Sequence, residues 1–243
     1  MAMKIPHTLL NVTDLGQMGY ASALRLQYQA HQRVLDRTSG PTLLLVEHDP
    51  VITITRHHHS RSHLLASPQW LAQQGIEVIE TDRGGDITYH GPGQLVAYAI
   101  LRLNALRLNV GRYIHWLEQV VIDAMAVLDI CAFRIDGLTG VWVDVPNSSS
   151  PKWRLLQPAK LCALGVRVER GITLHGIALN VTTRLAHFKT IVPCGLADRS
   201  VTSIQKLLGS NSPSMDRVKQ VLVATMQDHL TSLRPSNHAS LAL

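Results

Sequence analysis

The chain has 243 residues, 46% of them hydrophobic and 16% charged, with a formal net charge of +6 and three cysteines. The composition suits one compact domain with a sizeable core; the longest apolar runs, such as residues 43–46, cannot span a bilayer, and no basic region leads into an apolar leader with a cleavage site, so a soluble, cytoplasmic protein is expected, an organellar matrix being the other compartment open to it. Cys131, Cys162 and Cys194 form no CxxC pair, which argues against a disulfide framework or structural zinc, and aromatic residues at 5% of the chain, with basic residues scattered, give nucleic acid few stacking platforms and leave an acidic protein as the partner that fits the charge.

Residues 18–35 carry Leu24, Leu26, Ala30, Val34 and Leu35 at helical spacing among polar residues, which predicts a first helix with one buried stripe. Residues 42–47 and 51–55 are short β-branched and leucine-rich runs, read as strands either side of a His48-Asp49-Pro50 turn. A short helix is expected over 68–74 with Ser67 as its cap, then a strand over 76–80. Residues 94–103 read as a strand, and 110–128 as a helix on the spacing Ile114, Leu117, Val120, Val121, Ala124, Met125 and Leu128. Strands follow over 141–145, 160–169 and 172–181, the last two as a hairpin through Arg170-Gly171, and a polar connection over 147–151 separates them from what precedes. A loop around Pro193 leads to a closing helix over 215–233, with a frayed tail over 234–243. Strands that do not strictly alternate with helices predict an α+β or mixed sheet with packed helices, in one domain over 1–233.

The densest chemical signal is Arg83-Gly84-Gly85-Asp86-Ile87-Thr88-Tyr89-His90-Gly91-Pro92-Gly93-Gln94. Its glycines admit positive φ and close approach to a ligand, and Thr88, Tyr89, His90 and Gln94 supply orienting hydrogen bonds. The spacing is neither the dinucleotide fingerprint nor a nucleoside-triphosphate loop, and a structural hairpin is the plain alternative. Cys131 and Cys162, each among apolar neighbours, read as core thiols. Three consecutive histidines, His57, His58 and His59, alternate faces on an extended chain and converge poorly on one ion, so with His63 they read as a solvated loop and no metal site is expected. His90 and His175 lie beside glycines and are better functional candidates.

The glycine run resembles the signature of the lipoyl(octanoyl) transferases, and further blocks resemble that family in order: Gly140-Val141-Trp142-Val143, Lys160 to Arg167, Gly171 to Val181 including His175 and Asn180, and Ile191-Val192-Pro193-Cys194-Gly195-Leu196. With the weaker block over 43–50, the resemblance covers about residues 15–208 and fades beyond. It implies the biotin and lipoate protein ligase fold. It implies that Cys194 is the nucleophile and Lys160 its acid/base partner, facing it and lowering its pKa. The implied acyl pocket comprises Arg83, Gly84, Gly85, Asp86, Ile87, Thr88, Tyr89, His90, Ala163, Leu164, Gly165, Gly176, Ile177 and Ala178, supported by Gly91, Gly93, Gln94, His175 and Asn180. Residue types alone make Cys194 a sensible nucleophile, since a nearby ammonium favours the thiolate that attacks an acyl carbonyl.

By the same resemblance the reaction needs no cofactor. The octanoyl group arrives on the phosphopantetheine of an acidic acyl carrier protein and leaves for a lysine on lipoyl domains of 2-oxoacid dehydrogenases or on the glycine cleavage H protein. A monomer is expected, without membrane or nucleic-acid partners. Thr55 stands where the family usually has glycine, and the connection over 146–158 is unusually long. An ATP-dependent lipoate-protein ligase, an amidotransferase exchanging octanoyl between proteins, and a non-catalytic acyl-carrier binder are the alternatives. Gly84-Gly85 followed by Asp86, together with Pro193-Cys194-Gly195, favours transfer over adenylation.

Overall fold

The computed structural model describes residues 10–56, 60–146, 156–192 and 200–233. The histidines at 57–59, the connection over 147–155, the segment 193–199 with Cys194, and the 234–243 tail lie outside them.

The main sheet contains β1 (Asn11–Met18), β2 (Thr42–His48), β6 (Gln94–Ile100), β10 (Ile172–Asn180), β9 (Leu156–Glu169), β8 (Leu138–Pro146) and β7 (Ala132–Ile135), side by side in that order. A short β11 (Ser200–Val201) also pairs with β9. β1 runs parallel to β2 and β11 parallel to β9, and the other neighbours are antiparallel, so the sheet is mixed. A second sheet of β4 (Glu77–Thr81), β3 (Val51–Thr55) and β5 (Thr88–His90) stands beside it.

Helix α1 (Tyr20–Leu35) packs on one face of the main sheet, sharing a buried cluster with Leu44, Val46, Val96, Tyr98, Leu174 and Ala178. Helices α3 (Val110–Val127) and α5 (Met215–Ser232) cover the other, where Leu117, Val121, Met125, Leu222 and Met226 meet Leu95, Ala97, Leu161, Cys162, Ile177 and Leu179. Strand alternation produces this split, since successive side chains point to opposite faces. The remaining helices are α2 (Pro68–Gln73), capped by the Ser67 hydroxyl, which accepts from Trp70 N–H, and α4 (Ile204–Leu208). Among the described residues no helix is long and apolar enough to cross a membrane.

Every helix expected from the sequence forms, and the 160–181 hairpin pairs Ile172 with Glu169 through Leu179 with Cys162. The structure adds β1, β5 and β7. β1 is a polar, mostly exposed edge strand held by backbone pairing to β2, so its side chains carry no periodic signal. In α1 the buried stripe is Tyr20, Ala23, Gln27, Ala30, His31 and Val34, not the leucines, because Gln27 and His31 find backbone partners on β10 and β9: Gln27 Oε1 accepts from His175 N–H, and His31 Nε2 lies 3.1 Å from the Glu169 carbonyl. Cys131 is also a correction. It is exposed, because the turn after α3, with Asp129 at φ +58°, spends its one inward position on Ile130. Cys162 is buried as expected, and burial pushes its thiol pKa up.

Candidate acyl-transfer site

The cavity lies on the α1 side of the main sheet. Its floor is where β9 and β10 place small residues opposite one another, Ala163 against Ala178 and Gly165 against Gly176, with Val96 and Tyr98 following on β6. A Cβ on Gly176 would sit 2.1 Å from the Ala97 carbonyl oxygen, so the close strand approach there demands glycine. Leu164 and Ile177 only border the floor, their side chains packing on the opposite face; Tyr20 from α1 closes one side, and Arg83, Gly85, Asp86, Ile87, Thr88 and His90 form the roof.

The roof is held mostly by Arg83. Its guanidinium donates to the Thr53 carbonyl and hydroxyl, both at 2.9 Å, to the Gly84 carbonyl at 3.0 Å and to the Asp86 carbonyl at 2.7 Å. Gly84 N–H donates to the Val166 carbonyl at 3.0 Å, laying the loop along the edge of β9 that β8 leaves open beyond Cys162. Thr55, in place of the family's glycine, is buried and donates its hydroxyl to the Gly85 carbonyl at 3.1 Å, bracing the same loop.

Two buried histidines, His90 and His175, line the cavity, and a third, His48, packs behind it against His90 and Tyr98. His90 donates from Nδ1 to Gln94 Oε1 at 2.7 Å; burial first, then the nearby His48 and Arg83, hold its pKa well below the usual value. His48 donates from Nδ1 to the Met18 carbonyl and accepts the Tyr98 hydroxyl at Nε2, 2.6 Å away, and burial lowers its pKa too. His175, at φ +60° within β10, donates from Nε2 to Asp82 at 2.9 Å; burial and the cations Arg83 and Arg167 lower it to about 3. A left-handed non-glycine residue inside a strand is strained and concentrates at functional sites. Asp82 also accepts from Tyr28 and pairs with Arg167, so this ring is tied to the root of the roof.

A second polar chain runs from His90 to Lys160. Gln94 Nε2 donates to Asn180 Oδ1, Asn180 Nδ2 to the Thr202 carbonyl, and Thr202 N–H to the Lys160 carbonyl, at 2.9, 3.0 and 3.0 Å. A β-bulge turns Lys160 to the sheet face on which the cavity lies, outside the cavity lining itself. Val141 pairs with Cys162 but Trp142 with Lys160, so β9 carries one extra residue, and Leu161 and Cys162 both turn into the core. Without that bulge, strand parity would aim Lys160 at the core; bulges re-aim side chains in this way beside active sites. Its ammonium lies 4.8 Å over the Trp142 ring and donates to the Thr139 carbonyl at 3.1 Å.

Of the residues expected around the acyl group, Gly84 lies behind the roof rather than on the cavity, and Tyr89 faces the other way, packing on Phe188 with its hydroxyl 2.8 Å from His187. The reason is again alternation, since Thr88 and His90 of β5 take the cavity side. Gly91 and Gly93 form the turn into β6, and Gly93 N–H donates to Glu47. Cys194 lies outside the described residues, but both flanks of its segment are placed. Val192 N–H donates to the His63 carbonyl at 2.8 Å, and Val201 pairs with Lys160. His63 is not a solvated loop residue: its Nδ1 donates to Asp86 at 2.5 Å. Among the described residues no cluster of His, Cys, Asp or Glu could hold a metal ion.

Sequence reasoning missed Tyr20, His48, Val96, Tyr98 and Asp82. Val96 and Tyr98 were accessible by parity, sharing a face with Gln94, whereas Tyr20 and Asp82 reach the site only through tertiary packing.

Residues 19–227 match the family model described as the lipoyl protein ligase A/B catalytic domain. The chain is 43% identical over 218 residues to an octanoyltransferase of Acidobacterium capsulatum, covering 86% of this chain and 85% of that protein. It is 41% identical over 232 residues to an octanoyltransferase of Chloroflexus aggregans, covering 95% and 99%. In structure it is similar to the bipartite lipoate protein ligase of Thermoplasma acidophilum, with TM-score 0.69 at 17% identity over 93% of this chain and 85% of that one. It is also similar to the biotin protein ligase of Aquifex aeolicus, with TM-score 0.53 at 14% identity over 91% and 71%. The expected α+β ligase-like fold with a mixed sheet is therefore the one observed.

Proposed function

The chain belongs to the lipoyl protein ligase A/B catalytic-domain family, and from that premise we propose that it is an octanoyltransferase of protein lipoylation working through a thioester on Cys194. The donor in this reading is octanoyl-acyl carrier protein, whose acidity suits the +6 charge of the chain. The acceptors are lysines of lipoyl domains.

The observation that carries the mechanism is the bulge in β9. It spends one residue to place a buried lysine on the cavity face, beside the strand that leads out of the Cys194 segment. An ammonium there favours the Cys194 thiolate, which attacks the octanoyl carbonyl; the donor's thiol leaves and takes a proton. In the second half-reaction the acceptor amine attacks the enzyme thioester, forming the amide and releasing Cys194. The small-residue floor holds the alkyl chain and excludes water from the thioester, while the braced roof keeps the cavity's shape through both steps.

Intact mass after incubation with octanoyl-carrier protein tests this. A hydroxylamine-labile octanoyl adduct should appear in the wild type and disappear in Cys194→Ala, while Lys160→Ala should form it about 100-fold more slowly, the lower range for a lost acid/base partner. Modification of a lipoyl domain from free octanoate and ATP, with no adduct, would replace this reading with a ligase.

A further inference from the structure

The second sheet has two faces of different character. Thr53, Thr55, Thr88 and His90 turn toward the roof and the cavity, while Ile52, Ile54 and Tyr89 turn the other way and are covered by Leu71 of α2 and by Phe188 and Ile191. Two segments make this cover, 60–76 and 181–192, the second containing a short 3-10 helix, Leu185–Thr190. They meet where Leu65 N–H donates to the Thr190 carbonyl at 2.8 Å and where the Trp70 and His187 rings lie edge to face, 6.4 Å apart.

Neither segment contains an aspartate or glutamate, although the chain has 17. Together they expose Arg61, Arg184 and Lys189 around two apolar side chains, Leu65 and Trp70, which are 62% and 38% exposed. Arg61 meets Glu80 in an open ion pair of little strength. Arg184 and Lys189 pair with no carboxylate among the described residues, and Arg184 stands close enough to His187 to add to burial in lowering its pKa. Outward apolar area ringed by unopposed cations suits an acidic protein, whose charge guides the encounter while the apolar contact holds it.

Resting on the octanoyltransferase reading above, we propose that this outer face of α2 and of Leu185–Thr190 docks the acidic acyl carrier protein that delivers the octanoyl group. Reach decides between the donor and the equally protein-borne acceptor. The second sheet and the layer packed on it, about 10 Å through, separate this face from the cavity. An acceptor lysine carries its amine on a four-carbon stem and must itself touch the acyl carbonyl, so its domain sits directly at the cavity. The donor's acyl group travels on a long flexible phosphopantetheine arm, which lets the carrier's body sit to one side.

The test compares two donors, octanoyl-acyl carrier protein and octanoyl-pantetheine, which keeps the arm but has no protein, with acylation read by intact mass. Arg184→Glu combined with Lys189→Glu should lower kcat/KM for the carrier donor about tenfold and flatten its dependence on ionic strength. The pantetheine donor should react at the wild-type rate. Trp70→Ala should bring a loss of about tenfold with the carrier that salt does not change, and Leu65→Ser carries this arm if Trp70→Ala does not fold. Transfer from the isolated acyl-enzyme to a lipoyl domain should be unaffected in every variant. Unchanged carrier kinetics, or equal losses with both donors, overturns the proposal and leaves the face as cover for the second sheet. A loss confined to lipoyl transfer overturns it as well and assigns the face to the acceptor. A wild type that forms no acyl-enzyme from either donor removes the octanoyltransferase reading itself, an outcome distinct from the others because it appears without any variant.

Discussion

On β10, Ile177 and Leu179 pack beneath α3 and α5, while their neighbours Gly176 and Ala178 form the floor of the cavity. The same strand thus serves two purposes on alternate residues. The core face is filled by large apolar side chains from β6, β9, β10 and two helices, and its contribution is stability. The cavity face combines small residues with a buried polar set, His48, Gln94, Tyr98 and Asn180, that fixes shape and protonation instead. The comparison teaches that burial alone does not mark a core residue. Ala178 is buried like Leu179, but its small volume leaves open space above it.

Truncating the core face should cost the most. Leu179→Ala, at a fully buried position, should destabilise by about 3 kcal/mol through lost transfer energy and the cavity it leaves, lowering Tm by about 6–12 °C. The transfer rate per folded molecule and the acyl chain-length preference should stay at wild-type values. A changed chain-length preference in that variant would break the separation of the two faces.

Acid should act on the cavity face next. His175 is held neutral, its pKa lowered from 6.5 to about 3. The unfolded chain therefore binds one more proton than the native state between those values. Stability present above pH 6.5 is lost as pH falls, by up to about 1.4 kcal/mol per unit from this group. His48 and His90 add to the loss in the same direction, their pKa values also being lowered. Denaturant midpoints measured from pH 7 to 5 should fall more gently in His175→Asn, which tolerates the left-handed backbone and does not titrate. An unchanged slope would contradict a neutral His175.

The smallest effect on stability, and the sharpest on specificity, is expected at Ala178→Val. Added methyl groups that point into open space should cost about 1 kcal/mol, the low end of overpacking costs, while shifting the preferred donor toward shorter chains, read by competition between acyl-carrier donors of different length. A large loss of Tm with unchanged preference would show that Ala178 is core after all.

The hairpin of β9 and β10, the α3 stripe and the glycine run were legible because each depends on local rules: alternation, the helical period, and the tolerance of glycine for close approach. The residues expected around an acyl group came from family resemblance, and most of them converge on one cavity. Tyr89 and Gly84 are the exceptions, displaced by the alternation of β5 and by the loop lying along β9. The exposure of Cys131 was not legible, because the turn at Asp129 sets which of two consecutive residues faces inward.

By itself the sequence determined the mixed α+β class and, through resemblance, the blocks over 83–90, 163–165 and 176–178 that meet at the cavity. Tertiary structure alone decided which side chains of those blocks face it. The β9 bulge that turns Lys160 to the sheet face away from α3 and α5, the pairing of His63 with Asp86 across 23 positions, and the neutral state of His175 all depend on which distant groups burial brings together. Pairing register and desolvation are properties of the assembled sheet, and no local stretch of residues encodes them.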